Sequence, residues 1–232
     1  MDIAAQLYQI KEFIIAGVSS LPRILGGISL LLACSTANTG FAILAVCLAL
    51  IVPFLTYILN ISSPVIIKII QFIASQFGDI PEFPGQAAGV CRIAPSSEVG
   101  MAASFPSYWM ASIVFFFTFV FMNGLSLYNF AANQVAADDK VSSRKTHAII
   151  GMAASIILGL LLLVWRYRTG CENGLGLFMS LSFIGLGYGL FTLFDSCGLL
   201  RVVDLYGIGA RLLPTSATAA PTQVCFPVGS NT

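Results

Sequence analysis

Four long stretches of this sequence contain no charged residue, and each is long enough to form a helix that crosses a lipid bilayer. A helix of about 20 residues is about 30 Å long, which matches the thickness of the hydrocarbon layer. The predicted spans are Phe41–Ile61, Tyr108–Phe130, Ala148–Trp165 and Leu175–Phe194. The sequence therefore predicts an all-α, polytopic integral membrane protein with about four transmembrane helices, interfacial amphipathic helices and an extended tail.

The third predicted span ends in a pattern that is typical of a helix leaving lipid. Trp165 is followed directly by Arg166, Tyr167 and Arg168. Tryptophan and tyrosine side chains settle at the level of the lipid headgroups. We therefore expect both arginines to lie in water or on lipid phosphates.

The composition supports a membrane location. Only 9% of the residues are charged and 57% are hydrophobic, whereas a soluble domain has about a quarter charged residues. The formal net charge is +1, and nucleic-acid binding requires clusters of lysine and arginine. We expect the lipid bilayer as a partner and no nucleic acid.

The segment before the first predicted span allows two interpretations. Residues 1–21 have apolar side chains at helical spacing, which favours an interfacial amphipathic helix over a soluble helix that packs on a partner, and Pro22 should end it. The stretch from Ile24 to Ser63 then contains no charge. Either Ile24–Cys34 is an interfacial or half-inserted helix ahead of the span, or both halves cross the membrane as a tight hairpin. The first interpretation is favoured, because a helix of this length covers only about 16 Å of a hydrocarbon layer of about 30 Å.

Helix-start signals, charged segments and glycine- and proline-rich stretches divide the chain into five predicted regions. Ser63-Pro64 should start a second amphipathic helix, since serine caps helices and proline suits the first helical position. Asp138 to His147 should form a short polar loop between two spans. The regions are an interfacial helix over 1–23, the first membrane segment with an amphipathic helix over 24–77, an aqueous glycine- and proline-rich loop over 78–106, a three-span bundle over 107–195, and a short amphipathic segment with an extended tail over 196–232.

The distribution of basic residues predicts an orientation. With four spans, one side of the membrane carries seven lysines and arginines and the other carries four. Positive charge accumulates on the cytoplasmic side. Both termini should then be cytoplasmic, unless Ile24–Cys34 is itself a span.

Small residues predict how the last two spans pack. Gly151, Ser155 and Gly159 share one helix face, and Gly185 and Gly189 share another. Such spacings let helix backbones approach closely. We expect these five residues to form the contact between the two spans.

The sequence offers little for chemistry. No cysteine pair has the spacing of a zinc site, and His147 is the sole histidine. We predict no catalytic residue, no metal, no cofactor and no small-molecule substrate. Cys91 and Cys171 fall on the same side of the membrane in the four-span topology, which makes them the best candidates for a disulfide. The spans lack ionisable residues in their interior, unlike those of most transporters.

The layout as a whole resembles that of the membrane-embedded minor capsid proteins of large icosahedral double-stranded DNA viruses. It combines an interfacial helix, several uncharged spans, a punctuated loop and an extended tail. The resemblance implies a structural role in the virion, in an internal membrane derived from the host, with other membrane or capsid proteins as partners. The alternatives are a small cellular tetraspan adaptor, or a transporter or channel subunit with a path lined by Thr118, Asn123, Asn129 or Ser180.

Overall fold

The computed structural model describes residues 17–75, 106–129, 138–168, 172, 174–199 and 205. Every regular element in these ranges is helical. They are α1 (Leu21–Thr36), α2 (Thr39–Val46), a π-helical turn (Cys47–Ile51), α3 (Val52–Ser75), α4 (Tyr108–Asn129), α5 (Asp138–Arg168), α6 (Gly174–Ser180) and α7 (Ser182–Ser196).

The predicted spans are confirmed. Four helical stretches are long and apolar enough to cross a membrane, namely Thr39–Ser62, Tyr108–Asn129, Ser142–Arg168 and Gly176–Ser196. The protein is an all-α polytopic membrane protein. The last span is built from two helices, because the chain makes a turn at Leu181 between α6 and α7.

The first two helices form a tight hairpin. Ala37 ends α1 in the left-handed conformation, at φ 49°, and Asn38 caps α2 by accepting a hydrogen bond of 2.9 Å from the Gly40 amide. Helix α1 then runs antiparallel to the next segment, so that Gly26 faces Leu48. The tight turn between the two helices agrees with the hairpin interpretation of the sequence. Helix α1 itself has only 16 residues.

A π-helical turn accommodates Pro53 in the first span. In this turn the Val52 amide donates to the Cys47 carbonyl, five residues back. The Leu48 carbonyl would bond residue 53 in the same pattern, but proline has no amide hydrogen. The Tyr108 hydroxyl donates to that carbonyl instead, at 3.2 Å. The first span is thereby joined to the start of α4.

The predicted helix start at Ser63-Pro64 is wrong. Helix α3 continues through both residues to Ser75. An internal proline cannot donate a backbone hydrogen bond, but helices of membrane proteins tolerate this loss. The capping preference of serine and proline did not end a helix that had already formed upstream.

The predicted loop over Asp138–His147 is also wrong, because α5 begins at Asp138. In general, a negative charge at a helix N-terminus interacts favourably with the helix dipole, so acidic residues are compatible with a helix start. The helix has 31 residues, or about 46 Å, and is longer than the hydrocarbon layer. Its first residues therefore project beyond the apolar part of the span.

Helix α4 is the centre of the bundle and contacts α1, α3, α5, α6 and α7. Its buried Phe115 and Phe119 belong to the main core, and the Phe119 ring packs edge-on against Phe191 of α7 at 5.2 Å. Both rings therefore pack inside the protein.

The bundle has two ends, which we name after their residues. The Arg166 end contains the start of α4 and the end of α5. The Asn38 end contains the turn between α1 and α2 and the end of α7. There Gly198, at φ 76°, follows α7, and the Thr39 hydroxyl donates to the Leu199 carbonyl at 3.0 Å.

Candidate functional site

A cluster of polar and charged residues lies at the Arg166 end, and Ser107 is its centre. The Ser107 hydroxyl accepts a hydrogen bond of 3.2 Å from the Met110 amide, and the Ser107 carbonyl accepts one of 3.0 Å from Ala111. Ser107 is therefore the N-cap of α4. Its hydroxyl also donates a short hydrogen bond to Oε2 of Glu172, which anchors the segment that follows α5.

Arg166 lies inside this cluster rather than in water, so that part of the prediction is wrong. Its side chain is only 4% exposed, and the guanidinium lies over the Trp109 ring, 5.0 Å from the ring centre. The negative charge of Glu172 attracts it electrostatically. Arg168 is exposed, in keeping with the expectation. A cation over an indole face in a poorly hydrated site can contribute about 2 kcal/mol.

Burial raises the pKa of Glu172 above its ordinary value. The hydrogen bond from Ser107 and the positive charge of Arg166 both act in the opposite direction, since each stabilises the carboxylate. The loss of hydration is the larger effect. Glu172 is thus a carboxyl group whose protonation is coupled to the packing of this end of the bundle.

Trp109 connects the cluster to the start of the described chain. Its indole Nε1–H donates to the Val18 carbonyl at 2.7 Å, and the ring is fully buried. A small core surrounds it, formed with Met110 and Ile113. One cluster therefore joins the segment before α1, the start of α4, the end of α5 and Glu172.

Of the predicted packing residues of α5, Gly159 lies against α4, because a Cβ atom built there would lie 3.4 Å from the Phe117 side chain. Ser155 is buried and Gly151 is partly buried. Helix α4 contacts both α5 and α7, so it takes part in the packing of both spans.

In the last span, a different glycine makes the close contact. Gly185 and Gly189 are exposed and have nothing near them within the described residues. Gly187 is buried, and a Cβ atom built there would lie 3.0 Å from the Thr118 methyl group. The four-residue spacing selected the wrong face of α7, because Gly187 lies about half a turn away from both predicted glycines.

Polar residues proposed for a path through the membrane are held by the protein itself. Asn123 is buried and its Oδ1 accepts a hydrogen bond of 3.1 Å from the Leu205 amide. Thr118 and Ser180 donate to the Val114 and Leu177 carbonyls of their own helices. Asn129 is exposed at the end of α4.

The remaining predicted residues have simple positions or lie outside the described part. Cys91 and Cys171 lie outside it, as do the interfacial helix up to residue 16, most of the loop over 78–106 and the tail. His147 is exposed on α5. Among the described residues, no group of histidine, cysteine and acidic side chains could hold a metal ion.

Trp109, Arg166 and Glu172 were not predicted as a site. Trp109 was assigned to a span, Arg166 to the end of a span, and Glu172 lay between two predicted spans. One signal was available, since an acidic residue and an arginine at the same end of two spans can pair across the bundle.

No protein-family model, curated protein or solved structure matches this chain. Its class therefore comes from the structure: a polytopic helical membrane protein in which the phenylalanine-rich α4 is the central one of four apolar spans.

Proposed function

We propose that this protein is a structural component of a membrane-containing assembly, and specifically a minor capsid component that links the internal membrane of a large DNA virus to its capsid. One observation carries the structural role. Polar side chains within the bundle join separate segments of the chain: Tyr108 bonds Leu48, Trp109 bonds Val18, and Asn123 bonds Leu205. These groups hold the fold together.

Two helices that extend beyond their membrane-spanning parts also support this role. Helix α5 starts four residues before its apolar part, and α3 continues thirteen residues beyond Ser62. The exposed Lys68 lies on the extension of α3. Because α3 extends from the Arg166 end and α5 from the Asn38 end, the protein offers a helical projection at each end for contact with neighbouring proteins.

The capsid version rests on the layout of the sequence, with the predicted extended tail from Pro214 to Thr232 as the segment that reaches partners. The test uses particles purified from the native source, carrying either the full-length chain or a chain that lacks residues 214–232. We expect the full-length protein to co-purify with the particles and to cross-link to a capsid-forming protein. The shortened chain should still resist carbonate extraction from membranes but should be missing from particles.

A full-length chain with the exposed Leu161 replaced by alanine is the matched control, and it should incorporate normally. Normal incorporation of the shortened chain would contradict the role of the tail. If the purified protein conducts ions in liposomes and Asn129→Leu abolishes the current, the channel alternative replaces the proposal.

A further inference from the structure

We infer that α1 crosses the membrane together with the helical residues before it, so that the chain has five crossings and residue 17 lies on the opposite side from Leu199. This inference concerns topology alone, and it does not depend on the proposed function. It decides between the two interpretations of the Ile24–Cys34 segment in favour of the hairpin.

Contacts at both of its termini place α1 along the whole bundle. Before α1, the Val18 carbonyl accepts the hydrogen bond from Trp109 at the Arg166 end. After α1, Thr39 bonds Leu199 at the Asn38 end. Helix α4 starts at the first of these ends, and α7 finishes at the second. The segment from Val18 to Thr39 therefore connects the same two ends as the established spans.

The length of the segment suffices for a crossing. Gly17–Ser19 are helical, Ser20 forms a turn, and α1 continues to Thr36. The segment from Gly17 to Thr36, with nineteen helical residues and one in the turn, extends about 30 Å, the thickness of the hydrocarbon layer. Pro22 occupies the first turn of α1, where a missing amide hydrogen costs no helical bond. The proline therefore changes the helix at its beginning and does not stop the crossing.

The exposed surface of α1 has the polarity of a helix in lipid. Ile24, Ile28, Leu30 and Leu31 are between 41% and 70% exposed, whereas the polar Ser29 is buried. An interfacial helix has the opposite arrangement, with a charged face toward water and an apolar face toward the membrane. The exposed Arg23 lies near the beginning of α1, where a long basic side chain can reach the headgroups.

This topology changes the predicted orientation. Lys11 and Arg23 move to the side that carries the Arg166 end, and the count of basic residues becomes six on that side against five on the other. The seven-to-four bias that favoured cytoplasmic termini disappears. The two termini of the chain then face opposite sides of the membrane.

Glycosylation mapping of the full-length chain in microsomes tests the inference without knowledge of the absolute orientation. Asn60→Gln first removes the one Asn-x-Ser/Thr pattern of the sequence. Acceptor sites in long flexible spacers are then added in two pairs. The first pair lies at the N- and C-termini, and the second pair lies at the N-terminus and within residues 76–105.

Five crossings predict that every inserted chain with the first pair carries one glycan, and that chains with the second pair carry two or none. A half-inserted α1 predicts the reverse for each pair. The inference is overturned if the first pair yields chains with two glycans or none, or if the second pair yields one. Acceptor sites are glycosylated only on the lumenal side of the microsomes. Each topology predicts a single glycan in one of the two pairs, whichever terminus is lumenal, so the result does not depend on the absolute orientation.

Discussion

Helices α4 and α5 are both membrane spans, but they use their side chains in opposite ways. Half of the α4 span is buried inside the protein, compared with 17% of the α5 span. The less buried helix has the higher mean hydropathy. The buried helix carries Ser112, Thr118 and Asn123 in addition to its phenylalanines. Hydrophobicity therefore does not select which span lies in the centre.

The reason is that lipid tails are as apolar as leucine. In water, the hydrophobic effect drives apolar side chains inward, but in a bilayer it gives no preference for the protein interior over lipid. Shape and hydrogen bonding then determine which helix is buried. Large aromatic rings fill the space between several helices, and an asparagine needs a partner inside the protein. Helix α4 offers both, whereas the leucines of α5 are equally stable against lipid.

The largest expected effect tests the packing side of this comparison. Phe119→Ala removes a fully buried ring that packs on Phe191. We expect a loss of about 2–3 kcal/mol in the free energy of unfolding in bicelles, below the range for soluble proteins because only the packing contribution is lost. The matched change in α5 is Leu161→Ala, at a side chain that is 60% exposed. Equal losses for the two variants would contradict the assignment of α4 to the centre.

The next effect tests how much hydrogen bonding contributes to the burial of α4. Asn123→Ala removes the acceptor for the buried Leu205 amide, which should cost about 1–2 kcal/mol. The backbone at Leu205 should then become more accessible to protease in the membrane-embedded protein. Asn129→Ala, at the exposed end of the same helix, serves as the control. A silent Asn123→Ala variant would mean that this bond does not hold Leu205 in place.

Two glycines of α7 test how closely this helix packs against the central helix α4. Gly187→Ala places a methyl group 3.0 Å from Thr118 of α4, whereas Gly189→Ala meets open space. Both changes gain helix propensity, so their difference isolates the contact. We expect Gly187→Ala to be less stable by about 1 kcal/mol relative to Gly189→Ala, measured as unfolding free energies. The opposite order would mean that α7 packs through its other face.

The smallest effect concerns Glu172 at the Arg166 end of the bundle. Since burial raises the pKa of Glu172, the folded protein retains a proton at pH values where the unfolded chain has lost it. Stability should therefore be greatest below the ordinary value of 4.5 and should decrease as the pH rises through the folded pKa. Melting temperatures in detergent measured across pH should show this slope, and Glu172→Gln should remove it.

Ser107→Ala provides the control for the pH experiment. It removes a hydrogen bond that stabilises the carboxylate, so the window of pH dependence should move to higher pH. An unchanged slope in Glu172→Gln would assign the pH dependence to another group.

The existence and approximate bounds of the four spans could be predicted from the sequence. Inside lipid every backbone amide and carbonyl group must be hydrogen-bonded by the protein, and a long apolar stretch meets this requirement by forming a helix. Local signals at their ends were less reliable. Ser63-Pro64 and the charged residues from Asp138 to His147 both favoured breaks, but helices continue through them. A helix that is already formed upstream or downstream outweighs the preference of a few residues.

The sequence by itself determined that the chain is a helical membrane protein, since length and the absence of charge act within each segment separately. The tertiary structure alone decided which span is central, which glycine makes the close contact, and that Arg166 is buried between Trp109 and Glu172. These features depend on residues that are distant in sequence and on shape. In lipid, where hydrophobicity does not distinguish inside from outside, no pattern along a single helix contains that information.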